Sequence, residues 1–476
     1  MEPPEISPEY FIPDCTDLTN DKRLDVRLKQ LSNSLCNRPG SNISQLSEGR
    51  ADQIAYYRLL ENEKLTEAAL MDELTGRMGN LCAGRDLLCI QDTCEINLSG
   101  NKNRVRPGTG LGRSDNSENA TCFKLHPGLV LDERDFAPLG FSGIKVFHRE
   151  EEGPDRHRRN YKRQPIREKE SYKWIEVAQQ SKATLSRANR VTTIQDREGD
   201  IFEQFALVPD QNHHLLVRSR TTRNLSGGPD LYSAMKGLPI SGAYFIEIDE
   251  DKRNKRQKRT AQMAIAYGQF RIKRPANLKA KDYPDHIEVN GVWAQEITPG
   301  IAESDLVNWK LLTTHSINNL EDATKMVEWY GARWHIEQVF RLLKRQGFGI
   351  EGSRLETGWA IRKLVLIQLS GLLKILQMKI AYESPEGGQP IEEVFDKEEI
   401  KVLAHLNKRL QGKTDKTKNR NDPQRTKWAA WIIGRMGGWK GYDSQGPPGV
   451  ICLKKGLERF NGILEGIKIA KDMCTG

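Results

Sequence analysis

Two short β-prone runs in this chain end in the same three residues, Leu87-Leu-Cys-Ile-Gln-Asp92 and Val191-Thr-Thr-Ile-Gln-Asp196. Apolar and β-branched residues in runs of this length read as strands. A buried strand that closes on an aspartate presents that carboxylate at the carboxyl edge of a sheet, where α/β folds bind their ligands. The plainer alternative, that each aspartate only opens a turn, stands equally for either one alone. Around both runs, residues 71–235 alternate strand and helix signals, as in a mixed α/β sheet.

A third carboxylate lies in Glu328-Trp-Tyr-Gly-Ala-Arg-Trp-His-Ile-Glu-Gln-Val-Phe-Arg-Leu-Leu-Lys344, which reads as one helix. At about 100° per residue, Tyr330, Arg333, Glu337, Arg341 and Lys344 fall within an arc of about 80°. Ile336, Val339, Leu342 and Leu343 occupy the opposite arc and supply the face that docks on a core. Arg333 to Glu337 and Glu337 to Arg341 are also ordinary i,i+4 pairs, which on a solvated helix contribute about 0.2–0.5 kcal/mol each.

The 73 Lys and Arg against 64 Asp and Glu leave a formal charge of +9. That favours a polyanionic partner without establishing nucleic acid. Met1-Glu-Pro-Pro-Glu has neither the cationic start nor the apolar core of a signal peptide, so the chain is expected to stay in the cytoplasm. The longest apolar run, 364–380, is interrupted by Gln368, Lys374, Gln377 and Lys379; it reads as too short and too polar to span a bilayer, and as a buried helix. Eight cysteines without a CxxC pair read as free thiols rather than a disulfide frame or zinc ribbon. With no H-E-x-x-H or similar spacing, a catalytic metal would have to be held by oxygen.

Along the chain, residues 1–70 read as small helices, with Leu24, Leu28, Leu31 and Leu35 in one stripe and Lys22, Arg23, Arg27 and Lys29 near one end. This suits a DNA-binding module, or a helical unit with solvated lysines. Gly108-Thr-Gly-Leu-Gly112 has Arg113 where a phosphate loop needs its third glycine, and reads as a flexible loop. Asp92 and Asp196 are 104 residues apart and Asp196 and Glu337 are 141 apart. The longer gap calls for an inserted element, and strand-like segments at 242–248, 262–267 and 309–314 place an antiparallel insertion at about 236–312. Basic clusters at His157-Arg-Arg159, Lys162-Arg163 and 252–259 are solvated turns or phosphate contacts. After a break at 385–390, the tail 386–476 is helical around a basic loop, 413–427.

Tyr330, Arg333, Glu337 and Lys344 follow Y-x2-R-x3-E-x6-K, and Asp196-Arg-Glu-Gly-Asp-Ile201 resembles the D-R-E-(A/G)-D-I segment that accompanies it. Residues 21–35 and 54–62 resemble N-terminal helical segments of the same family, and 428–438 its C-terminal tryptophan to arginine-methionine-glycine-glycine element. Together these resemble the bacterial cut-and-paste DDE transposases of the fourth insertion-sequence family. The resemblance implies a ribonuclease-H-like catalytic core, 71–385, flanked by a helical end-binding domain, 1–70, and a helical dimerisation domain, 386–476. It implies that Asp92, Asp196 and Glu337 are the catalytic acids and hold two Mg²⁺ ions, for which Mn²⁺ substitutes. It implies that Tyr330, Arg333, Lys344 and Arg218 hold phosphates and that Trp309 stacks on a flipped base. The implied partners are transposon-end and target DNA and a second copy of the chain, in a nucleoid-associated bacterial protein without a membrane. The implied reaction is a nick exposing a 3′-hydroxyl, a hairpin, its opening, and joining to target DNA.

Two other readings remain: a catalytically silent DNA-binding protein derived from such an enzyme, and a hydrolytic nuclease on the same fold. Within the first acid's segment, Gln91-Asp-Thr-Cys-Glu95 departs from the small residues expected after Asp-Thr, which leaves Glu95 a rival metal ligand.

Overall fold

A computed structural model describes residues 3–475 apart from 102, 115–120, 150–163, 249–256, 345–346 and 443–444. The basic clusters at 157–159 and 162–163, and most of 252–259, lie outside these described residues.

Four helices lead the chain: α1 (Lys22–Asn37), α2 (Ile43–Leu46), α3 (Arg50–Glu61) and α4 (Glu67–Leu81). The Asp21 side chain accepts the Arg23 amide and caps α1. The α1 stripe buries Leu28, Leu31 and Leu35 as its period requires.

Among the described residues the centre is one sheet of eleven strands: β1 (Asp86–Gln91), β2 (Cys94–Asn97), β3 (Gly112–Arg113), β4 (Thr121–Asp132), β5 (Pro138–Phe147), β6 (Arg190–Gln195), β7 (His213–Arg218), β8 (Gly242–Ile248), β9 (Arg259–Lys273), β10 (His286–Glu296) and β11 (Asn308–Thr313). Its order is β2-β4-β1-β6-β7-β11-β10-β9-β8, with β3 and β5 paired to β4. β1, β6 and β7 run parallel. The antiparallel strands β8 to β11 continue this sheet, because β11 pairs directly with β7 through Leu311 and Arg218.

α5 (Tyr172–Thr184), α6 (Phe202–Leu207) and α7 (Leu231–Lys236) cover one face. α8 (Leu320–Gly331), α9 (Trp334–Leu343) and α10 (Gly358–Glu383) join the larger core, followed by α11 (Lys397–Leu410), α12 (Thr426–Met436) and α13 (Val450–Thr475). The apolar run at 364–380 is part of the longer α10, whose 26 residues are enough, by length and composition, to cross a bilayer. Its burial inside the fold is what makes it a core helix. The lysines that interrupt the run each meet an acid, Lys374 Nζ with Glu399 at 2.6 Å and Lys379 Nζ with Glu383 at 2.7 Å, and Lys363, just before the run, donates to the carbonyls of Leu60 and Asn62 at 3.0 and 2.8 Å.

The loop read as flexible is pinned to the start of α10. The Gly358 amide donates to Thr109 Oγ1 at 2.9 Å and Arg362 Nη1 to the Gly110 carbonyl at 3.1 Å. Gly110 has φ +88°, and a Cβ there would stand 2.6 Å from the Trp359 ring, so only glycine fits. All eight cysteines are unpaired thiols.

Candidate active site

β1 and β6 lie side by side with Ile90 opposite Ile194, so Asp92 and Asp196 leave the sheet at one carboxyl edge. Alternation along a strand sends Ile90 and Ile194 into the larger core and Gln91 and Gln195 to the other face. There the two amides meet at 2.7 Å, and the Gln204 amide from α6 closes on Gln195. All three glutamines are buried. A one-residue slip of either strand would break this pairing and turn its aspartate to the wrong face, so the shared Ile-Gln-Asp sequence is a register lock.

Asp92 is held from behind. Its Oδ1 accepts the Thr93 amide at 2.7 Å, and the Thr93 hydroxyl lies 2.8 Å from His126 Nδ1 on β4. His126 is wholly buried against Trp174, ring centroids 4.6 Å apart, and burial drives its pKa far below the usual value, which keeps it neutral. Asp196 Oδ1 accepts the Glu198 amide at 2.8 Å and caps the short turn Arg197–Gly199.

Glu337 comes from α9, and here the structure corrects the single-helix expectation. α8 ends at Gly331, and Ala332 and Arg333 form a tight turn: the Arg333 amide donates to the Tyr330 carbonyl and the Ile336 amide to the Arg333 carbonyl, three residues back instead of four. Glycine, the weakest helix former after proline, stands where the helix gives way. The polar stripe therefore divides. Tyr330 is only 4% exposed and packs edge-on against Trp309, with ring centroids 5.1 Å apart. Arg333 and Glu337 turn toward Asp92. Arg341 is exposed, and Lys344 has left the helix in extended backbone, with its side chain at the Cys94 thiol. Ile336, Val339, Leu342 and Leu343 are buried, as the apolar arc requires.

Arg333 is the hub. Its Nη1 donates to Asp92 Oδ2 at 2.9 Å and its Nη2 to Glu337 Oε1 at 2.7 Å. Burial pushes the Asp92 carboxyl up to about 6; the Thr93 amide and Arg333 oppose this, and the nearby charges of Asp196 and Glu337 reinforce it. Burial also disfavours the Arg333 cation, but Tyr330 and the two carboxylates outweigh it and raise its pKa. The Tyr330 pKa is raised by burial, against the pull of Arg333 and Arg218. Arg218, at the end of β7, lies near the Tyr330 side chain and donates to the Asn308 carbonyl at 3.3 Å.

One sheet edge thus brings together Asp92, Asp196, Glu337, Tyr330, Arg333 and Arg218, with Trp309 behind Tyr330 and Lys344 beside the neighbour of Asp92, Cys94. Glu95 is on the opposite face from Cys94 and accepts the Ser114 hydroxyl at 2.5 Å. Two supports carried no readable sequence signal. One is His126; the other is Asp200, whose buried carboxylate takes the Arg220 amide at 2.8 Å and Arg223 at 2.5 Å, fixing the segment after Arg218. The Asp-Arg-Glu-Gly-Asp run contains Asp200, but nothing local says which groups it will meet.

An oxygen-only donor set around a partly buried carboxyl suits a hard divalent cation. Among the described residues, no three His, Cys, Asp or Glu groups converge on an ion as they stand. The Arg333 guanidinium lies between Asp92 and Glu337 and supplies the positive charge itself.

Residues 16–65, which include α1 to α3, match the family described as Transposase DNA-binding. Residues 142–372 match the Transposase DDE domain, a span that holds Asp196, Arg218, Trp309, Tyr330, Arg333, Glu337 and Lys344 and begins after Asp92. A solved piggyBac transposase synaptic complex with hairpin DNA is matched at 11% identity over 83% of this chain and 74% of that one, with a TM-score of 0.34, too loose a likeness to carry an argument. DDE domains of this kind generally use divalent metal ions. The two matched spans, one leading and one spanning most of the sheet, make this chain a transposase with a DNA-binding domain followed by a DDE domain.

Proposed function

We propose that the chain is an active cut-and-paste DNA transposase of the fourth insertion-sequence family, with the pattern of the transposon-five transposase. The observation that carries the proposal is the carboxylate edge: two aspartates at the ends of adjacent parallel strands, with a glutamate from a helix tied to the first through Arg333. Two acids on neighbouring strands and a third on a helix is the arrangement of a ribonuclease-H-like core.

Asp92, Asp196 and Glu337 would hold two Mg²⁺ ions, and Mn²⁺ would serve in their place. When bound, such ions activate an attacking oxygen and neutralise charge at phosphorus and on the leaving oxygen. The remaining work falls to the chain's own residues. Arg333 grips a phosphate through its bidentate fork once it leaves the carboxylates, and Lys344 adds a point charge beside the first acid. Tyr330 and Arg218 hold a phosphate oxygen on the other side. The raised pKa of Asp92 means that its ionised form needs a cation nearby.

The reaction is a nick at the transposon end that frees a 3′-hydroxyl, a hairpin on the opposite strand, its opening, and joining to target DNA. α1 to α3 read the ends, and the helical tail pairs two copies in the DNA complex.

Inverted repeats in the DNA flanking the gene supply the substrate for a test. Incubation of that DNA with protein and Mg²⁺ should give nicked, hairpin and joined products on a denaturing gel. Binding without cleavage would identify a silent DNA-binding protein instead, and nicking without joining a nuclease.

A further inference from the structure

The carboxylate edge continues past Arg218 onto the other face of the sheet. Asn308, whose carbonyl accepts from Arg218, also presents its side-chain oxygen to Lys310 Nζ at 3.1 Å and to Trp293 Nε1 at 2.9 Å. The Lys310 ammonium sits between two rings, 4.8 Å from the centre of Tyr232 and 5.0 Å from that of Trp293. Lys236, exposed at the end of α7, and Arg218 are its charged neighbours. Among the described residues none of these three cations has a carboxylate within ion-pair distance, whereas nearby Arg223 and Arg259 each have one.

A lysine that serves only as packing gains from an acid partner, and a solvated one gains from water. Lys310 has neither in full: it is partly buried, and both burial and the neighbouring Lys236 and Arg218 charges lower its pKa. The two aromatic faces offset part of its lost hydration, and Asn308 takes one N–H. The ammonium can offer its other N–H groups to an anion. We infer that Lys310, with Lys236 beside it and Trp293 and Tyr232 as its walls, is a second phosphate-contact site, which holds the DNA strand as it leaves the carboxylates past Arg218. The inference rests on the transposase reading. It assigns to this strand a path along the β7–β11 edge.

Binding of a fluorescein-labelled, nicked random-sequence duplex is followed by anisotropy through a salt series, for the full-length chain and for Lys310→Met, Lys310→Arg and Lys236→Ala. Methionine keeps the stem between the rings and removes the charge. Each neutralising variant should weaken binding, Lys310→Met about tenfold at low salt, and lower the slope of log affinity against log salt by about 1. Lys310→Arg should restore most of both. Unchanged affinity and slope in Lys310→Met and Lys236→Ala would overturn the inference. So would a loss in Lys310→Met that follows a lowered melting temperature and is not restored by arginine. If the unaltered chain fails to bind the duplex, it is the transposase reading that falls.

Discussion

Arg333→Ala should make the free protein less stable and at the same time a better binder of divalent cations. Its two contacts, at 2.9 and 2.7 Å, join side chains that are 19%, 21% and 33% exposed. One-sided removal from a fully buried pair costs about 3–5 kcal/mol, and an exposed pair contributes about 0–1 kcal/mol. These part-buried contacts belong between the two, at about 2 kcal/mol. An incoming cation must displace the same interaction, so its removal should tighten Mn²⁺ binding by about thirtyfold. Cleavage should move the other way, falling about 10²–10³-fold with the loss of a donor to the reacting phosphate. Calorimetric titration with Mn²⁺ at pH 8, where protons compete least with the metal for Asp92, measures the first effect, and single-turnover cleavage the second. Arg333→Lys keeps the charge but not the fork, and should fall between. Unchanged or weaker Mn²⁺ binding by the alanine variant would refute the view that Arg333 stands in for a cation. Normal cleavage would remove its phosphate role.

Asp92→Asn, Asp196→Asn and Glu337→Gln should each abolish cleavage while DNA binding by gel shift is retained; a variant that cleaves normally removes that residue from the acid set. Trp309→Ala should leave folding and nicking intact and slow hairpin formation if the ring stacks on a base, worth about 1–3 kcal/mol; a fall of about 3 kcal/mol in stability with an unchanged nick-to-hairpin ratio would make it packing for Tyr330. Raising salt from about 50 to 200 mM should weaken DNA binding by orders of magnitude, since several cations release counterions; a flat salt response would count against DNA as the ligand. Burial, with the charge of Asp135 adding, lifts Glu393 from an ordinary 4.5 to about 7. The folded state then holds this proton more tightly than the unfolded state, so the stability it contributes is full below pH about 4.5 and is lost as pH rises through about 7. Glu393→Gln should flatten that segment of the stability curve by about 1–2 kcal/mol in chemical denaturation, and a parallel curve would show that Glu393 is not its source.

The parts of this fold that were legible are those written in local period. The stripe of α1, the apolar arc of α9 and the two acid-tipped strands each depend on residues within a few positions of one another. Contacts made across the chain were not legible. His126 meets Thr93 from 33 positions away, and the Gln91 to Gln195 amide pair spans 104. In α10, polar interruptions made the run look shorter and more polar than the helix is, because the acid that satisfies Lys374, Glu399, lies on another element. The break at 331–333 was hidden for another reason. Ala332 and Arg333 keep helical dihedrals, so the period survives on either side while the phase shifts between them, which puts Tyr330 in the core and leaves Glu337 at the edge. The same limit governs the site. Arg333 and Glu337, four apart, form a pair that alone is indistinguishable from any solvated helix pair. Asp92, 241 positions away, is what turns it into a bridge: by accepting the second arm of the guanidinium, it places a fixed cation between two acids. The functional content of the helix motif therefore lies in the strand that faces it.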